Sequence, residues 1–90
     1  MMYVHLIYNP NRKGAELRVH KAGCRDIARD QRGATSEDSM ETVSQTEAAS
    51  EWYGDFIGEG SMTVADALGY TEFLPCTKGL PLETPAGEPE

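Results

Sequence analysis

Met2-Tyr-Val-His-Leu-Ile-Tyr8, followed by Asn9-Pro-Asn-Arg-Lys-Gly14 and then Ala15-Glu-Leu-Arg-Val-His20, is the stretch on which the fold turns. The first run is rich in β-branched and aromatic residues and reads as a strand. The second is a run of turn formers, with Gly14 available for a positive φ. The third alternates apolar and polar residues, the period-two mark of a half-buried strand. Together they predict an antiparallel hairpin. Pairing Tyr8 near Ala15 sets Leu6 beside Leu17 and Val4 beside Val19 on one face, with His5, Arg18 and His20 on the other.

Beyond the hairpin, residues 23–32 predict a short helix. On it Arg25, Arg29 and Arg32 recur at i, i+4 and i+7 as a cationic stripe, Ile27 and Ala28 supply the small apolar side, and Gly33 ends it. Residues 33–50 are Ser, Thr, Glu and Gln with little to bury, and read as a weak helix from Ser36 or as a mobile acidic insert. Ala49, Trp52, Tyr53, Phe56 and Ile57 fit one helical face, although Gly54 and the density of aromatics also suit an irregular strand. Thr63-Val-Ala-Asp66 carries a capping-box pattern for a further short helix closed by Gly69. Tyr70-Thr-Glu-Phe-Leu74 reads as a third strand stopped by Pro75, and residues 81–90 read as a loose Pro/Glu tail. The expected fold class is therefore α+β: a single domain over residues 1–80, built from a β-hairpin, a third strand and two or three short helices.

Composition narrows the function classes. Leu, Ile, Val and Phe supply only 15 of 90 residues, below the ~20% at which a highly charged chain tends toward disorder. Only Val43 and Leu82 of these fall in residues 33–50 or 81–90, so the rest of the chain carries the core. A domain of this size buries little surface and gains from a staple, a metal or a partner. Charge is segregated: residues 1–32 carry a net +4 and residues 33–90 a net −11, giving −7 in all. That acidity opposes non-specific nucleic-acid binding unless the basic third acts as an isolated face. No apolar run approaches a membrane span and residues 1–8 do not resemble a secretory leader, so a cytoplasmic protein is expected.

One constellation carries chemistry. His20-x3-Cys24 lies where a strand runs into a helix, and Cys76 lies just beyond the last strand. A neutral imidazole and two thiolates are three of the four ligands of a tetrahedral zinc site. Three readings stay open at this point. The thiols are small buried apolar groups with His20 on the strand surface; or the three hold a metal completed by His5, Asp26 or water; or Cys24 and Cys76 form a disulfide.

Ala65-Asp-Ala-Leu-Gly-Tyr-Thr-Glu-Phe-Leu-Pro-Cys-Thr-Lys-Gly-Leu-Pro81 resembles the end of small zinc-binding domains in which an Ala-rich helix and a Gly-aromatic turn precede Pro-Cys-x2-Cys-x-Pro. The Ada-type metal-binding domain is a distant example, and compact actinobacterial and actinobacteriophage proteins with a His-x3-Cys first half are closer. The resemblance implies zinc as the cofactor and His20, Cys24 and Cys76 as ligands. It also implies a phage accessory protein acting on a host protein in the host cytoplasm. This chain departs from the pattern at the fourth ligand, where Gly79 stands.

No phosphate loop, nucleophile elbow or His-Glu-x2-His motif is present, and His20 and Cys24 lack a recognisable orienting acid, so an enzyme is not expected. Trp52, Tyr53 and Phe56 are read as core first and as a protein-binding patch second. The expected function is a non-catalytic protein-interaction module. The alternative is a zinc-type nucleic-acid-binding module using Arg25, Arg29, Arg32 and the Arg12-Lys13 turn. An edge-to-edge homodimer is a third arrangement compatible with so small a sheet.

Overall fold

The computed structural model describes residues 1–82. Among them the elements run β1 (Met2–Tyr8), β2 (Leu17–Lys21), α1 (Ile27–Gln31), β3 (Ser36–Thr42), α2 (Gln45–Trp52), α3 (Gly54–Gly58), α4 (Val64–Gly69) and β4 (Thr71–Phe73), ending in a 3-10 turn at Pro75–Thr77. The strands form one mixed sheet in the order β3-β1-β2-β4. The fold class is α+β, as the sequence predicts, with one strand more than expected.

The hairpin forms, but its register lies two residues from the expected one: Tyr8 pairs with Leu17, Leu6 with Val19 and Val4 with Lys21. The cause is the turn. Asn9 N–H bonds to the Glu16 carbonyl at 2.8 Å, Arg12 N–H to the Asn9 carbonyl at 3.2 Å, and Gly14 adopts φ +86°, so Ala15 and Glu16 belong to the connection. An even shift leaves every side chain on its expected face.

The segment read as a weak helix or mobile insert is instead β3 followed by α2. β3 pairs antiparallel with β1 from Met2↔Thr42 to Tyr8↔Ser36. It is an edge strand held by backbone bonds and needs few apolar side chains. Asp38, Met40 and Thr42 alternate onto the face of Leu6 and Val4, and Glu37, Ser39 and Glu41 take the other. Ser44 then caps α2 by accepting from Glu47 N–H, and the Glu47 carboxylate accepts from Val43 N–H and the Thr42 hydroxyl.

The helical reading of the aromatic segment holds. Tyr53 joins α2 to α3, with Tyr53 N–H bonded to the Ala49 carbonyl and Ile57 N–H to that of Tyr53. The capping box of α4 is present at Thr63 and Asp66, while Gly69 is the helix's last residue rather than the one beyond it. The helices cover one face of the sheet, where Val4, Leu6, Leu17, Val19, Ala49, Tyr53 and Ala67 form the buried core. The opposite face carries Ile7, Arg18 and His20, and α1 brings its single buried residue, Asp30, against it.

Of the expected loose tail, Pro81 and Leu82 are described: their carbonyls accept from Gln45 and Thr46 N–H at 2.8 and 2.9 Å. Its remainder lies outside the described residues. Among the described residues no helix is long and apolar enough to cross a membrane.

Candidate metal centre

The site is assembled by the parallel pairing of β2 with β4, Leu17 opposite Thr71 and Val19 opposite Phe73. Parallel strands leave the sheet at the same end. Cys24 and Cys76 each follow three residues after their strand, and both chains turn back at once. On the β2 side, Gly23 at φ +86° and the Cys24 N–H to Lys21 carbonyl bond of 3.0 Å fold the chain over the strand end. On the β4 side, the Leu74 carbonyl accepts from both the Thr77 N–H and the Thr77 hydroxyl, winding Pro75–Thr77 into its turn.

His20, Cys24 and Cys76 thereby present one ring nitrogen and two sulfurs, all within 4.8 Å of one another. His20 Nδ1 lies 3.7 Å from Cys76 Sγ, close to the ~3.6 Å that an N,S edge of a tetrahedral zinc site requires. The thiols are half-buried and His20 is wholly buried. His20 is therefore not the surface strand residue of the first sequence reading. The two cysteines are free thiols rather than a disulfide.

Behind the imidazole stands a residue that the sequence reading missed. Asp30 Oδ2 lies 2.6 Å from His20 Nε2, and Asp30 Oδ1 accepts from Arg18 Nη1 at 2.7 Å. Burial pushes the Asp30 carboxyl up, but the hydrogen bonds from His20 and Arg18 outweigh it and hold the carboxyl below its ordinary value. A carboxylate accepting from Nε2–H fixes the tautomer that leaves the Nδ1 lone pair facing the two sulfurs. Metal-binding histidines are oriented in this way. The available signal was the inward face of the helix: Asp30 follows Ile27 by three residues and so shares its side.

Burial raises the Cys76 thiol; the Lys21 N–H, which points at Sγ from 3.3 Å, opposes this, and the Cys24 thiol adds to it. The net upward direction favours the neutral thiol, whereas a nucleophile and a metal ligand alike require the thiolate. Two thiols, an imidazole and a supporting carboxylate form a donor set that fits zinc.

The other candidate residues are dispersed. His5 faces His20 across the hairpin, yet its Nδ1 meets Ser39 Oγ at 2.9 Å and its Nε2 meets Glu37 Oε1 at 2.6 Å, so it does not complete the cluster. Asp26 also lies outside it, with Oδ2 3.9 Å from Arg29 Nη2. Arg25, Arg29 and Arg32 are exposed but form no continuous stripe, because α1 starts after Arg25 and stops before Arg32. Tyr53 is buried in the core, Trp52 is half-buried beside Tyr8 at a ring distance of 5.7 Å, and Phe56 is 51% exposed. Trp52 also lines a groove of about 250 Å³ with Leu6, Met40, Asp38 and Glu51. No known protein family, curated protein or solved structure matches the chain.

Proposed function

We propose that this chain is a non-catalytic protein-interaction module whose small fold is held together by a zinc-type ion on His20, Cys24 and Cys76. The observation that carries the reading is the convergence of His20 Nδ1 and two thiols with Asp30 fixed on the far side of the ring. When bound, the ion would cross-link the exits of β2 and β4, which are 52 residues apart at Cys24 and Cys76. A chain with so few large buried side chains gains most from such a cross-link. The half-exposed Phe56 and the groove beside Trp52, rimmed by Asp38 and Glu51, offer a partner an aromatic and acidic surface.

Of the residues the nucleic-acid alternative would use, Arg12 donates to the Ala15 and Glu16 carbonyls of its own turn, while Arg25, Arg29 and Arg32 are exposed. Native mass spectrometry of protein purified without chelator, before and after chelation and thiol alkylation, tests the metal. A zinc-sized mass lost on chelation, with both thiols alkylated only afterwards, is expected. An unchanged mass with two freely alkylated thiols would refute it. Nucleic-acid binding that falls steeply with salt would move the reading to the alternative.

A further inference from the structure

We propose that the groove between β3 and the end of α2 binds a lysine or arginine side chain, presented by an extended segment of a partner protein that lies along β3. The inference deepens the interaction half of the reading above and is independent of the metal.

The first ground is the lining. Leu6 is buried, Met40 and Trp52 are half-buried, and Asp38 and Glu51 are exposed. Asp38 pairs with Leu6 across the β1–β3 ladder, and Glu51 and Trp52 are the last two residues of α2. The volume of about 250 Å³ falls below the roughly 300–1,000 Å³ of pockets for whole drug-sized molecules and suits one side chain. Among the described residues neither carboxylate is paired with a cation. Asp38 accepts from the Ser39 N–H at 2.8 Å, and the Glu51 carboxylate has no hydrogen-bond or ion-pair partner. A long aliphatic stem that ends in a cation matches this lining at both ends. Its methylenes cover Leu6 and Met40, and its charge meets the indole and the two carboxylates.

The second ground is the sheet edge and its charge. β3 bonds to β1 alone, so its outer edge can receive an extended segment. The strand carries Glu37, Asp38 and Glu41, within a region, residues 33–90, of net charge −11. A basic segment is attracted there. The β3 of a second copy would set the same acids against each other. Residues 83–90 contain Glu83, Glu88 and Glu90 and no Lys or Arg, so they match the rim in sign rather than complement it. Charge therefore selects a basic partner over this chain's own tail or a second copy.

Trp52 is the sole tryptophan, so its fluorescence reports directly on the groove. The full chain is titrated with a capped Thr/Val heptapeptide bearing a central lysine or arginine. The same peptide with norleucine or glutamate at that place, and n-butylammonium alone, are the comparisons. Expected are a saturable change in emission with lysine or arginine, about tenfold weaker binding with norleucine, and none with glutamate. n-Butylammonium, which lacks the backbone bonds to β3, should bind at least about tenfold more weakly than the lysine peptide. A D38N/E51Q variant should melt as the parent does yet bind the lysine peptide about tenfold more weakly. Equal binding of lysine and norleucine, or an unaffected variant, would overturn the cationic assignment; equal binding of n-butylammonium and peptide would overturn the strand. Free Trp52 shielded from acrylamide, or emission that varies with protein concentration, would place the tail or a second copy in the groove and overturn the proposal. A lysine peptide whose binding is lost in F56A but kept in D38N/E51Q would overturn this site and leave the interaction reading standing. That reading itself falls to the salt-sensitive nucleic-acid binding described above.

Discussion

Asp30 shows how much one side chain can settle. It is 6% exposed and binds the imidazole through one oxygen and Arg18 through the other, so it orients the His20 ring without belonging to the proposed ligand set. Carboxylates in this supporting position usually contribute about 10–100-fold to metal affinity. D30N should therefore lower zinc affinity by roughly that factor while C24S and C76S abolish high-affinity binding, as a competition titration with a chromogenic chelator would measure. Tyr53 presents the opposite case. Its ring is buried against Tyr8 and Tyr70, but its hydroxyl is buried with no hydrogen-bond partner among the described residues. Burial also raises the phenol far above its ordinary value. An unpartnered buried hydroxyl costs about 1–3 kcal/mol. Y53F is therefore expected to be neutral or to stabilise the fold by up to about that amount in urea unfolding, and a loss above 1 kcal/mol would show that the hydroxyl is satisfied.

Elements in this chain are short and depend on their ends. α4 spans Val64–Gly69 and is opened by Thr63, which accepts from Asp66 N–H while Asp66 accepts from Thr63 N–H. T63A should cost about 1 kcal/mol, read as a lower urea midpoint with an unchanged slope. The polar β3 is fastened to β1 by side chains as well as by its ladder. Gln31 and His5 both bond to Glu37, and together they hold its carboxyl below the ordinary value. A depressed carboxyl stabilises the fold above its unfolded pKa of about 4.3, and that contribution is lost as pH falls through the lower folded value. E37Q should thus melt with a shallower dependence on pH below about 4.3 than the parent chain, and parallel curves in that range would remove Glu37 from the account. His20 and Cys76 come together only because β4 adds to β2 in parallel, a pairing that needs the whole crossover from α1 to α4.

At the scale of the molecule, a four-stranded sheet with one well-packed face and a second face closed by a five-residue helix is a marginal structure. A bound ion adds stability by mass action. At a free concentration ~1,000 times its Kd it contributes about 4 kcal/mol, worth more than about 10 °C in a domain of this size. Chelation should lower the melting temperature by that much, and C76S should melt at the chelated temperature with or without zinc. A melting point indifferent to chelator would show that the second face is held without an ion, by Ile7 and by the hydrogen bonds of Asp30 and Glu37. The hairpin, the faces of its residues and the capping box of α4 could be read in sequence, because they arise from periods and caps within a few residues of one another. The aromatic segment fitted both a helix and an irregular strand, and the structure has it helical. The trio His20, Cys24 and Cys76 was legible as chemistry, since residue type alone says what an imidazole and two thiols can bind. Three features were decided only by the tertiary structure. These are β3, whose Ser, Glu and Asp side chains hide a strand secured by backbone bonds to β1; the hairpin register, set by the bonds inside residues 9–16; and Asp30 behind His20. Each depends on contacts between residues distant in sequence, or on how a loop closes, and the energies that select them exist only once the chain has packed.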